Sequence, residues 1–374
     1  MVIALSDEQR ALRDSVRQLL SRECDSAAVR RAAGSADGFD RTLWSRLCTG
    51  IGVAGLVVPE TYGGLGAGGG ELHVVLAELG RALCPGPLLG SAVVAAQAIL
   101  AAGDADACRT LLPGIAAGTT IAALAWAGPD GRWGPGAAAF ASTVDNELTG
   151  TAHYVLDAAG ADVLIAVAHT ADGTALFQVD PAQPSVERAA VPTMDITRRL
   201  GTVRLTGAHA RRLGPATGLA RVRDLAWVAL AAEQAGAARA CLEQTVAYSK
   251  DRVQFGRPIG SFQALKHRMA DMYVLVETAE SAALAAAAAT GPELPLAAAV
   301  AREHCSEALC TVAAEMTQLH GGIAITWEHD AHLYLKRAHA AARLFGRADP
   351  RAVLSYARSA ATPATSLSTS DSLV

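Results

Sequence analysis

Residues 251–272 read DRVQFGRPIGSFQALKHRMADM, a stretch in which a dense break interrupts an otherwise helical pattern. The preceding segment, residues 224–250, is apolar nearly all round, which is typical of a helix buried inside a bundle. Phe255, Gly256 and Pro258 then interrupt the pattern before the helical period resumes. A break of this density indicates a place where the backbone must meet a ligand or another chain.

Helices follow the break, and short strands precede it. A second helix is predicted near Ser261, a third after Pro295 and a fourth after Gly322. At the other end of the chain, Ser6 and Gln9 have the spacing of a capping box at the start of a helix. Between these helical parts, short apolar segments separated by turn residues predict the strands of a small antiparallel domain. The segments are residues 121–126, 162–169, 175–180 and 202–207.

The sequence therefore predicts an α+β fold that is mostly α. Its parts are an N-terminal helical domain at 1–118, a middle antiparallel β domain at 119–212, a C-terminal four-helix bundle at 213–360 and a tail at 361–374. The tail is expected to be disordered because it contains few large apolar side chains.

Composition narrows the class of protein. The chain has 374 residues and a net charge of −4, with no basic block, so nucleic acid and anionic membranes are not expected as main partners. Its seven cysteines are scattered and odd in number, which indicates reduced thiols and a cytoplasmic protein. The sequence also shows no signal peptide and no apolar run long enough for a membrane span.

Arg252, Gln254 and Phe255 lie together at the break. A planar guanidinium, an amide and a flat apolar ring can hold the pyrophosphate and adenosine of a dinucleotide. The alternative is an ordinary helix end, with Gly256 in the left-handed position and Arg252 near the negative end of the helix dipole.

A second constellation is the segment Gln318, Leu319, His320, Gly321 and Gly322. Adjacent glycines allow a ligand to approach the backbone closely, and the Gln318 amide can bind it. The alternative is again a helix terminus.

No metal site is predicted. Although four histidines fall within residues 320–339, they have neither the His-Glu-x-x-His spacing nor clustered cysteines. Phosphate-binding glycine motifs and a serine-hydrolase elbow are also missing from the sequence.

Taken together, the chain resembles the acyl-CoA dehydrogenase family. The resemblance runs from SDEQRALRDSVRQLL (6–20) through VPETYGGLG (58–66) to the break and QLHGGIAITWEHDAHLYLKRA (318–338). It implies FAD as the cofactor and an acyl-CoA or acyl-carrier thioester as substrate. The Cα proton is removed while a Cβ hydrogen leaves as hydride to flavin N5, and an electron-transfer flavoprotein is the implied acceptor.

The resemblance also implies the residues that contact FAD between two subunits, and we name this set the FAD clasp. Its members are Arg252, Gln254, Phe255, Phe262, Gln263, Gln318, Gly321 and Gly322. Tyr154 stands where the family stacks a tryptophan on the flavin.

Several family positions hold other residues here. The Thr-Glu-Pro-x-x-Gly-Ser-Asp segment corresponds to LAWAGPDGRWG (124–134), and Leu156 replaces a threonine that binds the flavin. The two places where family members carry the catalytic glutamate hold Phe345 and Ala226, and Trp227 replaces the arginine that often follows the second place.

Glu233 is the candidate base that remains. It lies seven residues from Ala226, on the same helical face and about 10 Å along the axis. A carboxyl on an apolar face can have a raised pKa and accept a proton. The alternative is a buried glutamate paired with a neighbouring helix or subunit.

The pattern resembles the smaller, divergent subunits of actinobacterial-type heterotetramers, which act on bulky CoA thioesters and in which the other chain supplies the glutamate. Two alternatives stay open. One is a self-sufficient, homo-oligomeric dehydrogenase of secondary metabolism that uses Glu233. The other is a flavin-free structural subunit.

Overall fold

The computed structural model describes residues 4–134 and 136–348. The first helices are α1 Asp7–Glu23, α2 Ser26–Gly34, α3 Arg41–Arg46, α4 Gly69–Arg81, α5 Ala96–Ala102 and α6 Ala105–Ala116. The strands are β1 Ala122–Ala125, β2 Phe140–Ser142, β3 Glu147–Leu156, β4 Val163–Thr170, β5 Gly173–Val179, β6 Val186–Val191 and β7 Leu200–Pro215. After these come α7 Leu219–Asp251, β8 Val253–Gln254, β9 Arg257–Pro258, α8 Gln263–Ala288, α9 Leu294–His320 and α10 Ala331–Ala341.

The N-terminal part is helical, as predicted. Ser6 and Gln9 form the expected capping box, in which each side chain accepts a hydrogen bond from the other residue's backbone N–H. Two hydrogen bonds from the Arg17 guanidinium to the Glu78 carboxylate then join α1 to α4. A fully buried π-helical segment, Leu88–Ala95, leads directly into α5.

The middle part is a mostly antiparallel sheet in the order β1-β4-β2-β3-β7-β5, with β6 paired to β7. The β1–β4 and β2–β4 pairings are parallel, and the β4–β5 pairing joins the two ends of the β4-β2-β3-β7-β5 path. The four strands predicted from apolar runs are present. The sequence pattern did not show β2, β3 and β6, because their exposed faces carry polar and small residues.

The C-terminal part is the predicted bundle, organised around α7. Here α4 crosses α7 at backbone contact, because a Cβ added to Gly236 would lie 1.9 Å from the Ala77 carbonyl oxygen. A Cβ on Gly80 would lie 2.1 Å from the carbonyl oxygen of Glu233. Only glycine permits this approach, and it fixes the position of Glu233.

The α+β, mostly helical fold class is thus confirmed. The strands of the sheet occupy residues between Ala122 and Pro215, and the domain limits at 118 and 212 stay predictions. The predicted tail, residues 361–374, lies outside the described residues. Within the described ranges, no helix combines the length and apolar character needed to cross a membrane.

Candidate functional site

The break at the end of α7 is a tight hairpin made by β8 and β9. Phe255 and Gly256 form its turn with φ angles of +54° and +76°, as a two-residue type I′ turn requires. A left-handed conformation is unfavourable for a bulky residue, and the Phe255 side chain is 92% exposed. An aromatic ring held in solvent at a conformational cost indicates a binding surface.

The start of α8 supports this hairpin. The ring of Phe262 meets the ring of Phe255 edge-to-face, with centroids 6.2 Å apart, and the Arg257 guanidinium lies 4.0 Å from the Phe262 centroid. Arg252 and Gln263, which flank the hairpin, are both exposed. Their guanidinium and amide groups therefore face the outside of the chain.

The second half of the clasp lies at the end of α9. Gln318, Gly321 and Gly322 are exposed, and a Cβ added to either glycine would meet no atom of the described residues within 4 Å. Tyr248, one turn before the hairpin, donates from its hydroxyl to the His320 carbonyl (3.3 Å), and the two rings stack at 4.4 Å. Both halves of the clasp therefore occur at the same end of the bundle.

Tyr154 stands apart in the β domain, near the end of β3. Its φ angle is +57°, its side chain is 44% exposed, and its Cε2 lies 3.5 Å from the place of a Cβ on Gly131. The aromatic ring thus covers the segment that replaces the family's Thr-Glu-Pro motif. The next inward residue, Leu156, is buried and offers no hydroxyl.

The two positions where the family carries its catalytic base lie near each other in the structure, and the residues at both positions are buried. Phe345 and Ala226 are buried, and Nε1 of Trp227 donates to the Phe345 carbonyl at 3.0 Å. Trp133 packs edge-to-face on Phe345, with centroids 5.1 Å apart, and on Trp126 at 5.7 Å. We call Trp126, Trp133, Trp227 and Phe345 the aromatic cluster. Three of its members, Trp133, Trp227 and Phe345, stand where the family pattern has other residues, and the cluster contains no carboxylate.

A buried arginine holds the loop that carries Phe345. Nη2 of Arg302 donates to the carbonyls of Ala342, Leu344 and Gly346, each at 3.0 Å. No carboxylate pairs with Arg302 in the part of the chain that the structure describes, and burial lowers the pKa of its guanidinium. Sequence reasoning missed this role, and the only signal was a single arginine at a core-facing position of an Ala-rich helix.

The candidate base Glu233 is occupied by ion pairs. It accepts a hydrogen bond from Arg198, and its Oε2 lies 3.7 Å from Nη1 of Arg337. Arg337 also pairs with Asp195 at 3.0 Å and donates to the hydroxyl of Thr197. The charged side chains of this network are all buried or nearly so.

The space beside Glu233 is small. The cavity that it shares with Arg198 and Arg337 has a volume of about 20 Å³, which is room for about one water molecule. The base role of Glu233 stays a prediction, and the contacts supply the paired role that was its alternative.

Asp157 is a second acid of this cavity, which the sequence did not single out. It follows Leu156, and its φ angle is +55°. Burial raises the pKa of its carboxyl to about 7, although Arg198 and Arg199 oppose the shift. Its position directly after the family's flavin-contact residue was the available signal.

Replacing Asp157 by asparagine is expected to change how stability depends on pH. Because the folded-state pKa lies above the ordinary value of 3.8, the contribution of Asp157 to the free energy of unfolding falls as pH rises from about 4 to about 7. Asparagine removes this loss and tolerates the left-handed backbone, so D157N should gain about 2–4 kcal/mol relative to wild type between pH 4 and pH 8. Urea unfolding at both pH values measures the difference. The exposed Asp172→Asn is the matched control, and equal pH slopes for wild type and D157N would contradict the prediction.

Comparison with known proteins agrees with the geometry. Residues 6–119 match the family model of the acyl-CoA dehydrogenase N-terminal domain, and residues 224–349 match that of the C-terminal domain. The chain is also 44% identical over 347 residues to acyl-CoA dehydrogenase IpdE2 of Mycolicibacterium smegmatis, covering 91% of this chain and 96% of that protein. This chain belongs to the acyl-CoA dehydrogenase family.

Solved structures support the same assignment. The ChsE4-ChsE5 complex from Mycobacterium tuberculosis contains a chain similar to this family member, with 30% identity and a TM-score of 0.86, covering 97% of this chain and 100% of that one. A variant of the Tcur3481-Tcur3483 steroid acyl-CoA dehydrogenase matches with 33% identity and a TM-score of 0.82 over 95% and 99% of the two chains.

FAD is the cofactor of the acyl-CoA dehydrogenase family, and the residues present fit one half of it. The exposed guanidinium, amides and open glycine backbone of the clasp suit a diphosphate. The flavin half has one contact fewer, because Leu156 stands where the family has a flavin-binding threonine and gives no hydroxyl. The clasp residues stay a prediction, and the two family base positions hold alanine and phenylalanine.

Proposed function

We propose that this chain is the non-catalytic subunit of a heteromeric, FAD-dependent acyl-CoA dehydrogenase. In this proposal it contributes clasp residues to FAD at a subunit interface, and a second chain of the same family contributes the catalytic glutamate. The observation that carries the proposal is that Ala226 and Phe345, the two family base positions, are apolar and sealed by the aromatic cluster.

The chemistry requires a proton acceptor beside Cα of the thioester. A general base must come within hydrogen-bond reach of the proton that it removes. Bound FAD supplies the acceptor for the hydride from Cβ. In this chain the family base positions hold no carboxylate, so in this proposal the carboxylate comes from the partner.

Two comparisons support a two-chain enzyme for a bulky substrate. The similar structures are described as a ChsE4-ChsE5 complex and as a Tcur3481-Tcur3483 steroid enzyme. We infer a heterotetramer whose substrate is a steroid-type CoA thioester, with an electron-transfer flavoprotein as acceptor and a cytoplasmic location. A carrier-protein thioester is the alternative substrate.

A second candidate function is a self-sufficient dehydrogenase in which Glu233 is the base. Its support is the position of Glu233 on the same face of α7 as Ala226. Against it stand the ion pairs of Glu233 with Arg198 and Arg337 and the small volume beside it. The third candidate, a flavin-free structural subunit, is opposed by the solvent-facing, left-handed Phe255.

The test is the FAD content and activity of the chain alone and with its partner. Expressed alone, the chain should hold well under one FAD per chain and show no acyl-CoA dehydrogenase activity. Co-expression with an acyl-CoA dehydrogenase chain that carries the Glu-Gly-Thr turn should restore both. Within that complex, Arg252→Ala should lower the FAD retained on gel filtration by about tenfold, as expected for a lost charge-assisted contact of about 1.4 kcal/mol.

The matched control is Lys250→Ala, which removes an exposed cation two residues earlier on α7. One FAD per chain and turnover by the isolated chain would favour the self-sufficient enzyme. Unchanged FAD in the R252A complex would favour the flavin-free role.

A further inference from the structure

Two histidine rings close the base of the segment that carries the glycines of the clasp, which we call the glycine segment (residues 321–328). His320 ends α9 directly before Gly321, and His329 lies two residues before α10 begins. The centroids of the two rings are 4.5 Å apart, and His320 stacks in turn on Tyr248 of α7. The glycine segment is therefore held between an aromatic stack and the start of α10.

The hydrogen bonds of the two rings show which nitrogen carries the proton. Nδ1 of His320 lies 2.8 Å from the carbonyl oxygen of Met316, which can only accept, so this Nδ1 carries a hydrogen. The backbone N–H of Ala331 donates to Nδ1 of His329 at 3.0 Å, so that Nδ1 is unprotonated. Asp330, the N-cap residue of α10, gives the helix no side-chain hydrogen bond. His329 thus caps α10 through a lone pair that exists only in the neutral imidazole.

The surroundings of His329 favour the neutral ring. Arg30 of α2 donates to the carbonyl oxygen of His329 at 3.2 Å and is paired with Asp330 at 2.7 Å. Burial lowers the pKa of His329, and Arg30 adds to the shift while Asp330 opposes it. The other titratable or charged groups near the two rings are Tyr248 of α7, His332 and Lys336 of α10, and the exposed Glu328.

Protonation of His329 removes the cap. The added proton occupies Nδ1, so two N–H donors would face each other at 3.0 Å. The positive ring would also lie beside Arg30 and at the N-terminus of α10, where a cation is unfavourable. Because the pKa of His329 is below the ordinary value of 6.5 in the ordered segment, the stability of this segment falls as pH drops below about 6.5.

We propose that His329 positions the glycine segment of the clasp and does so only while its imidazole is neutral, so that acid loosens this half of the clasp. The inference rests on the function proposed above in one respect, since the clasp gives the glycine segment its role toward FAD. The cap on α10 involves neither FAD nor the partner. The clasp therefore holds FAD more tightly in neutral than in mildly acidic solution.

The first test is hydrogen exchange of the full-length chain alone, measured by mass spectrometry on peptides that cover residues 321–334. His329→Asn keeps an acceptor near the place of Nδ1 but cannot be protonated there, and His329→Ala has no acceptor. Wild type and H329N should exchange equally at about pH 7.5. At about pH 5 wild type should exchange about three- to tenfold faster than H329N, as linkage to one histidine predicts. H329A should exchange faster than H329N at both pH values.

The second test is the release of FAD from the two-chain complex, followed by the fluorescence of free FAD at the same two pH values. At about pH 5 the dissociation constant of FAD should be about three- to tenfold higher for wild type than for H329N, and at about pH 7.5 the two should agree. His339→Asn removes an exposed imidazole from the last turn of α10 and is the matched control, which should behave like wild type.

The outcomes separate the role of His329 from the function proposed above. Equal exchange of wild type and H329N at about pH 5 would overturn the positioning role, even in a complex that binds FAD. A difference in exchange without a difference in FAD release would overturn the connection between the glycine segment and the clasp. A complex without FAD at about pH 7.5 would contradict the proposed function, and exchange of the chain alone would still decide whether neutral His329 holds the segment.

Discussion

Arg302→Met is expected to lower the free energy of unfolding by about 3–5 kcal/mol, the largest single-residue effect that we expect in this chain. The guanidinium supplies hydrogen bonds to three carbonyls of the loop 342–346, and methionine supplies none. Each carbonyl left buried without a donor is unfavourable, and the left-handed Phe345 depends on this loop. Urea unfolding monitored by far-ultraviolet circular dichroism measures the change.

Two further variants make this prediction specific. Arg302→Lys keeps a positive charge but not the planar fork, so it should retain only part of the stability. Arg343→Met removes an exposed arginine from the same loop and should change stability by less than about 0.5 kcal/mol. If R302M and R343M were equally stable, the loop would not depend on Arg302.

Glu233→Gln is expected to lower the free energy of unfolding by about 2–3 kcal/mol and to leave flavin reduction in the two-chain complex within about twofold of wild type. The glutamine amide can still accept a hydrogen bond from Arg198. The lost charge leaves Arg198 and Arg337 in a buried site, in which Asp195 still pairs with Arg337 and Asp157 lies near Arg198. Denaturant unfolding and single-turnover flavin reduction by the thioester measure the two quantities.

The two readouts separate the alternatives for Glu233. A structural acid changes stability and spares the chemical step, whereas a general base contributes about 10²–10⁴-fold to rate. A hundredfold loss of flavin reduction at unchanged stability would therefore assign Glu233 as the base and remove the need for a partner's glutamate. Glu243→Gln, on the more exposed surface of α7, is the matched control for the loss of one arginine-paired carboxylate.

Local patterns in the sequence were enough to predict the helical and β parts. The capping box at Ser6, the long apolar α7 and the Phe255-Gly256 break each depend on residues close together in the chain. The strands β2, β3 and β6 were not predicted, because β-structure on an exposed face is stabilised by its cross-strand neighbours rather than by its own residues. The clasp residues were implied by the family resemblance, and their contacts with FAD stay predictions.

The surroundings of the family base positions depend on contacts between residues that are far apart in the sequence. Trp133, Trp227 and Phe345 are far apart in sequence, and only packing brings them together over the family base positions. The same holds for Glu233, whose arginine partners come from the segment just before β7 and from α10. Residue types along the chain thus determine the family and the helices. Long-range packing and ion pairing decide that Glu233 is paired with Arg198 and Arg337 and that Ala226 and Phe345 are buried, because both arise from side chains that meet only when the separate elements are assembled.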